Sequence, residues 1–190
     1  MVSVSQRIAN ALVRYGNGSE ANVDIYEYGI QALLSFAINA VVTVILGVLF
    51  GVVSELILFF IPFALHRSIS GGYHAKTWWG CVVFSGIVIA FVILLCKLHF
   101  AVNLFFASIL VSFFAAITTF CFAPVVNSNH PLNNDERLRF RKLSRSMTAI
   151  LITLEIIAFF VGMSRFGFCV ALALGVSSSM QVIGVIQGRR

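Results

Sequence analysis

ELILFFIPFAL, residues 55–65, is an apolar segment whose path decides the architecture of this chain. A helix needs about 17 to 25 residues to cross a bilayer, so this segment is short. With Pro62 inside it, it is either a tilted span extended by flanking residues or a re-entrant segment buried against other helices. We favour the span, because the distribution of basic residues along the chain requires this segment to cross.

The sequence on both sides of this segment has the composition of a membrane protein. Of 190 residues, 59% are hydrophobic and 11% are charged, and the mean hydropathy is +0.98. A soluble domain is about half apolar and about one quarter charged. The first 29 residues contain no apolar run followed by a small-residue cleavage site, so we expect no cleaved signal peptide. The other apolar segments have the length of a span: 30–53, 80–96, 100–123, 147–163 and 166–187.

These segments predict an all-α fold, a polytopic membrane bundle of about six transmembrane segments. We expect a single domain over residues 1–190, with an N-terminal segment, 1–29, followed by the bundle, 30–187. The N-terminal segment has apolar residues at helical spacing, namely Val4, Ile8, Leu12 and Tyr15. This spacing predicts an amphipathic helix on the inner membrane surface, and a frayed polar terminus is the alternative.

Basic residues near the ends of the spans predict the orientation of the chain, since lysine and arginine are retained on the cytoplasmic side. They collect before the first segment, between the second and third, between the fourth and fifth, and at the C-terminus. Only Lys97 and Arg165 fall on the other side. We therefore predict that both termini and the stretch 66–81 face the cytoplasm.

The stretch HRSISGGYHAKTWWGC, residues 66–81, concentrates reactive side chains in an otherwise apolar chain. If Thr77 caps the third span, Cys81 lies in its first turn, where the helix dipole and nearby basic residues favour a thiolate. Histidine is the side chain suited to exchanging a proton with a thiolate near neutral pH, and His74 lies seven residues upstream. Trp78 and Trp79 resemble an interfacial aromatic anchor at the entry to this span.

A dyad of His74 and Cys81 requires a break in the helix between them. On an unbroken helix the two residues are about 10.5 Å apart along the axis, too far for a hydrogen bond. Gly71 and Gly72 allow backbone conformations closed to other residues, so we predict an interruption between Gly71 and about Thr77. The alternative is an interfacial histidine and a packing cysteine that do not interact.

The remaining cysteines and histidines predict no further chemistry. The sequence contains no CxxC pair and no zinc-finger spacing, so we predict neither a metal nor a cofactor. Three cysteines are expected to pack as small hydrophobes in apolar helices: Cys96, Cys121 and Cys169. Three histidines are interpreted as solvated or interfacial: His66, His99 and His130.

The pattern R-x-x-S-G-G-x-H-A-x-x-x-x-x-C resembles the signature of the accessory gene regulator B (AgrB) family of bacterial membrane endopeptidases. Its residues here are Arg67, Ser70, Gly71, Gly72, His74, Ala75 and Cys81. A second piece, Ala123-Pro124-Val125 with Asn129-x-Pro131-Leu132 and the basic run after it, resembles the cytoplasmic loop of that family. The similarity in length and layout covers essentially the whole chain.

This resemblance implies a cysteine endopeptidase of the bacterial cytoplasmic membrane that acts in quorum sensing. It makes Cys81 the nucleophile and His74 the general base, with supporting roles for Arg67, Ser70, Gly71 and Gly72. The family cuts the C-terminal tail from a propeptide, leaving an acyl-thioester that closes to a thiolactone or lactone. The implied partners are an AgrD-like propeptide with an acidic tail, the lipid membrane and a second copy in a homodimer. We expect no nucleic acid partner.

Two further features have competing interpretations. Arg137, Arg141 and Arg145 share one face if residues 134–145 are helical with Asn134 as cap. This stripe either docks the acidic tail or serves only as a positive-inside signal. Glu155, in the middle of the fifth span, pairs with Arg67, orients His74 or packs as a hydrogen-bonded residue.

The residues also leave two other classes of function open. A small transporter or peptide export channel would use Lys97, Glu55 and Glu155 to line a path between the spans. A non-catalytic membrane adaptor is the third hypothesis.

Overall fold

The computed structural model of the protein describes residues 4–15, 23–73, 78–98, 104–125 and 133–188. Within these residues the helices are α1 (Val4–Tyr15), α2 (Val23–Phe50), α3 (Val53–Ser70), α4 (Trp78–Leu98), α5 (Leu104–Phe122), α6 (Asn134–Phe160) and α7 (Ser164–Gly188). The predicted all-α membrane bundle is confirmed.

Within the described ranges, five helices contain a stretch long and apolar enough to cross a membrane: Gly29–Phe50, Val53–Ser70, Leu104–Phe122, Asn134–Phe160 and Ser164–Gln187. The predicted segment 80–96, the third along the chain, corresponds to the shorter apolar helix Val82–Leu98, which belongs to α4.

Helix α3 contains the short apolar segment 55–65, with Pro62 inside it. It extends the apolar run 55–65 at both ends and continues through Pro62 without a break. Its 18 residues correspond to about 27 Å, close to the ~30 Å hydrocarbon core of a bilayer. The segment is therefore the middle of a helix of spanning length, as the favoured interpretation required.

Helix α6 joins two segments that the sequence analysis treated separately. The basic run at 134–145 and the apolar run at 147–163 lie on one helix, Asn134–Phe160. The predicted cap, Asn134, is wrong by one residue, because Asn133 caps the helix. Asn133 Oδ1 accepts from the Asn134 amide at 2.7 Å. The Asn133 side chain also accepts from the Glu136 amide, and the Glu136 carboxylate accepts from the Asn133 amide at 3.0 Å, so the two residues form a capping box.

The chain divides into two compact units, Met1–Val42 and Thr43–Arg190. In the first unit, Gln31 Nε2 donates to Ser5 Oγ at 3.2 Å and to Glu27 Oε1 at 3.1 Å, which joins α1 to α2. Residues 4–15 are helical, as the amphipathic pattern predicted, and not frayed. The location of α1 on a membrane surface stays a prediction.

In the second unit, helix α7 lies at the centre of the packing. Its residues from Cys169 to Leu174 are all buried, and Val170 and Leu174 share a core cluster with Ala115 of α5 and Leu151 of α6. Large apolar side chains of α5 are instead exposed along one outer face: Phe106, Leu110 and Phe113. Their spacing of four and three residues gives α5 an apolar surface suited to lipid.

Candidate active site

The helix is interrupted where the sequence predicted an interruption. Helix α3 ends at Ser70, and the residues that follow it, 71–73, are not helical. Gly71 has φ +71° and its amide donates to the Arg67 carbonyl at 3.0 Å, while Gly72 has φ +141°. Both angles lie in the region that favours glycine, which explains the Gly-Gly pair. Residues 74–77, with the predicted base His74 and the predicted cap Thr77, lie outside the described residues.

The turn formed by residues 70–73, here called the motif turn, is held by backbone hydrogen bonds on two sides. The Val125 amide donates to the Ser70 carbonyl at 3.0 Å, and Gly71 pairs with Val125 in a parallel bridge. On the other side, the Tyr73 amide donates to the Met180 carbonyl of α7 at 2.8 Å. The two sequence pieces that carry the family resemblance therefore meet at this turn.

The side chain of Arg67 binds the backbone of the motif turn. Its guanidinium donates to the Tyr73 carbonyl. A Cβ atom added to Gly72 would lie 2.6 Å from Arg67 Nη1 and 3.2 Å from the Met180 carbonyl group. The turn thus uses an N–H donor from the side chain of residue 67 and requires a residue without a side chain at residue 72, where φ is +141°, which gives these two motif positions a physical reason.

His66 anchors the last turn of α3 to two other helices, so its interpretation as a solvated or interfacial residue is wrong. Its side chain is fully buried. Nδ1 lies 2.8 Å from Ser177 Oγ of α7 and 3.4 Å from Ser70 Oγ, and Nε2 lies 2.9 Å from Thr148 Oγ1 of α6. The other two histidines, His99 and His130, lie outside the described residues.

Cys81 lies in the first turn of α4, which begins at Trp78, as the sequence predicted. The structure describes the backbone at this position, and the side chains of Cys81, Trp78 and Trp79 lie outside the described part. The Tyr73 ring of the motif turn contacts the Phe84 ring, one helical turn beyond Cys81, at a centroid distance of 5.2 Å. The motif turn therefore packs against the start of the helix that carries the cysteine.

The three arginines of the predicted stripe lie on one helix, but they do not have the same environment. Arg137 and Arg141 are exposed. Arg145 Nη2 donates to the Phe120 carbonyl at 2.9 Å, and the guanidinium lies 4.5 Å from the Phe120 ring centroid. Because Phe120 is in the last turn of α5, this cation stabilises a helix C-terminus and has a structural role.

The stripe begins close to the motif turn. Ser144 Oγ of α6 donates to the Ile69 carbonyl of α3 at 3.3 Å. Arg141 precedes Ser144 by less than one helical turn. The exposed arginines therefore extend from the end of the bundle at which the motif turn lies.

Glu155 is buried and accepts a hydrogen bond from Ser112 of α5. It lies seven residues beyond Thr148, or about 10 Å along α6, on the side away from the motif turn. Of the three interpretations, the structure supports the packing role with a hydrogen-bond partner.

The charged residues proposed to line a transport path have separate partners in the part of the chain that the structure describes. Glu55 pairs with Arg165 at 3.5 Å, and Lys97 Nζ lies 5.2 Å from the Phe50 ring centroid. A cavity beside Glu55 has a volume of about 10 Å³, close to the minimum for one water molecule. It is lined by Glu55, Cys96, Leu104, Arg165, Phe168 and Cys169.

Two of the three cysteines expected to pack are buried, Cys96 and Cys169. Cys121 is exposed on α5, so the packing expectation is wrong for this residue. An exposed side chain on α5 does not contribute to the interior packing of the bundle. Within the described ranges, no three histidine, cysteine or acidic side chains lie close enough together to hold a metal ion.

Comparison with known proteins identifies the family. The family model described as "Accessory gene regulator B" matches residues 5–185, which is nearly the whole chain. The chain belongs to the AgrB family.

Similar members of the AgrB family occur in clostridia. AgrB-like proteins of Clostridium perfringens are 26% identical in strain SM101, over 82% of this chain and 73% of that protein, and 26% identical in strain 13, over 82% and 76%. An AgrB-like protein of Clostridium beijerinckii is 28% identical over 88% of this chain and 79% of that protein. No solved structure matches the chain.

Membership of the AgrB family gives the protein a role in autoinducing-peptide processing, with an AgrD-like propeptide as its substrate. The apolar helices and the family together identify a multi-pass membrane protein. The chemistry of processing, and the residues that perform it, are a separate question.

Sequence reasoning missed the contribution of α7 to the site. Met180 binds the motif turn through its carbonyl, and Ser177 binds His66. The available signal was the spacing of Ser177, Gln181 and Gly184, since small and polar residues on one face of an apolar helix are typical of helix contacts.

Proposed function

We propose that the protein is a membrane cysteine endopeptidase that cleaves the C-terminal tail of its propeptide at Cys81, with His74 as general base. The contact between Tyr73 and Phe84 carries this proposal. His74 follows Tyr73 directly in the sequence, and Cys81 precedes Phe84 by about 4.5 Å of helix rise. The contact supports a close approach of the two reactive side chains.

The proposed reaction has two stages. His74 takes the proton of the Cys81 thiol, and the thiolate attacks the carbonyl carbon of the scissile peptide bond. The tail leaves as an amine that receives the proton from His74, and the peptide remains as an acyl-thioester on Cys81. A cysteine or serine of the same peptide then attacks the thioester carbonyl, which closes the ring and releases the Cys81 thiol.

Ring closure must outcompete hydrolysis of the thioester. An internal nucleophile held close to the carbonyl gains about 7 to 11 kcal/mol from proximity. The site favours this outcome if it excludes water, and its position at one end of a helical bundle fits that requirement. The first turn of α4 also supplies the positive end of a helix dipole, which stabilises a thiolate.

We further propose that the exposed arginines Arg137 and Arg141 bind the acidic tail of the propeptide, while Arg145 supports the helix beside them. We also propose that the site faces the cytoplasm, and the basic residues at this end of the bundle support that side through the positive-inside rule. We also propose that the protein acts as a homodimer, as the family resemblance implies.

Replacing the nucleophile tests the proposed function directly. Cys81→Ser and Cys81→Ala should abolish propeptide cleavage while the protein still accumulates in the membrane, because neither side chain supplies a thiolate. Cleavage is measured by mass spectrometry of membranes that contain the protein and its propeptide. Cys121→Ser is the matched control, since this exposed cysteine has no proposed role and its variant should process the propeptide like the wild type. Full processing by either Cys81 variant would refute the proposal.

A further inference from the structure

The motif turn packs on α7 through backbone atoms, and one glycine makes this possible. A Cβ atom added to Gly184 would lie 2.9 Å from the Gly72 carbonyl carbon, 2.9 Å from the Tyr73 amide nitrogen and 3.1 Å from Val125 Cγ1. Two of these three neighbours are backbone atoms, which cannot rotate away. Residue 184 must therefore lack a side chain if the turn is to keep its place.

The same turn of α7 provides the hydrogen bond that holds the motif turn. The Met180 carbonyl is the acceptor that an α-helix pairs with the amide of Gly184. It also accepts from the Tyr73 amide at 2.8 Å. This bond requires Tyr73 to approach the helix backbone closely, and a side chain at residue 184 would prevent that approach.

We propose that Gly184 is a positioning residue for the peptidase reaction, because it allows the backbone of Gly72 and Tyr73, immediately before His74, to pack against α7. This inference rests on the proposed function. The Tyr73 ring contacts Phe84 of α4, so a shift of Tyr73 away from α7 changes the location of His74 relative to Cys81. Gly184 itself contacts neither the substrate nor the reacting atoms.

The test compares Gly184→Ala with Gly86→Ala, measured on the full-length protein in membranes. Gly86 lies in α4 near Cys81, and an added Cβ there would meet nothing within 4 Å. Alanine favours a helix over glycine at both positions, so neither helix is weakened.

We expect Gly184→Ala to lower kcat for propeptide cleavage about ten- to hundredfold, because a misplacement of about 1 Å has an effect of this size. KM should change by less than about twofold, and Gly86→Ala should match the wild type.

A second measurement separates positioning from a general loss of structure. The rate at which iodoacetamide alkylates Cys81, followed on its peptide by mass spectrometry, reports the thiolate fraction at each pH. In Gly184→Ala this pH profile should shift toward that of a His74→Ala variant, and in Gly86→Ala it should not. A wild-type profile in Gly184→Ala, or a wild-type kcat, would overturn the positioning role.

Three additional variants define the mechanism of the effect. Val125→Ala combined with Gly184→Ala should not restore activity, because it removes only the side-chain clash, and restoration would contradict a backbone clash. If Gly184→Ala does not accumulate, Tyr73→Pro removes the amide donor to Met180, and Tyr73→Ala is its control. Equal kcat values for those two variants would overturn the inference.

Processing by Cys81→Ser would refute the proposed function itself, whereas normal processing by Gly184→Ala with an inactive Cys81→Ser would refute only the role of Gly184.

Discussion

The buried imidazole of His66 shows how a single residue joins three helices near the motif turn. Its ring nitrogens lie within 3.4 Å of three hydroxyl groups, on Ser70, Thr148 and Ser177. Sequence reasoning interpreted His66 as solvated or interfacial. Two of its partners, Thr148 and Ser177, lie 82 and 111 residues away along the chain, and no local sequence pattern reports contacts over such separations.

His66→Ala should destabilise the protein by about 1–3 kcal/mol, because it leaves the buried Ser177 hydroxyl without its partner. His66→Asn, which retains a donor and an acceptor, should lose less. The measurement is SDS-induced unfolding in detergent micelles. Ser68→Ala is the control, since this exposed hydroxyl donates to the carbonyl of Leu65 in its own helix. Equal stability of His66→Ala and the wild type would contradict the structural role.

Helix α6 shows why hydropathy predicted the position of a span but not the length of the helix. Its apolar half, from about residue 147, was predicted as a span because its residues favour lipid. Its first turns are charged, yet lysine, arginine and glutamate are strong helix formers, and the capping box at Asn133 and Glu136 fixes the start. Hydropathy measures preference for the bilayer, whereas helix formation also depends on capping and propensity.

The charged half of α6 gives a prediction about substrate binding. Arg137→Glu combined with Arg141→Glu should raise KM for propeptide cleavage about tenfold with little change in kcat, since two exposed ion pairs each contribute about 0.2–1 kcal/mol and would become repulsive. Arg139→Glu combined with Lys142→Glu is the control, because it changes the net charge equally at exposed positions off the stripe. The effect should weaken as salt concentration rises. Equal KM values for the two double variants would leave the stripe only its positive-inside role.

At the scale of the whole molecule, the second unit brings the C-terminal end of α3, the start of α4, the segment after α5 and the C-terminal half of α7 to one end of the bundle. The motif residues at this end were predictable, because Arg67, Gly71 and Gly72 carry a recognisable local pattern. The surface of α7 on which they pack was not predictable. It is formed by the Met180 carbonyl and by Gly184, which has no side chain. Backbone contacts between distant segments leave little trace in a single sequence.

Cys81, at this end of the bundle, is proposed to form an acyl-thioester with the propeptide, and the proposed function depends on this claim. The most direct test uses a propeptide whose ring-forming cysteine or serine is replaced by alanine, so that the intermediate cannot cyclise. After acid quenching, the Cys81 peptide should carry the mass of the propeptide without its tail, and hydroxylamine should remove that mass. Release of the tail at the normal rate with Cys81 unmodified, and without a peptide hydroxamate, would contradict the claim.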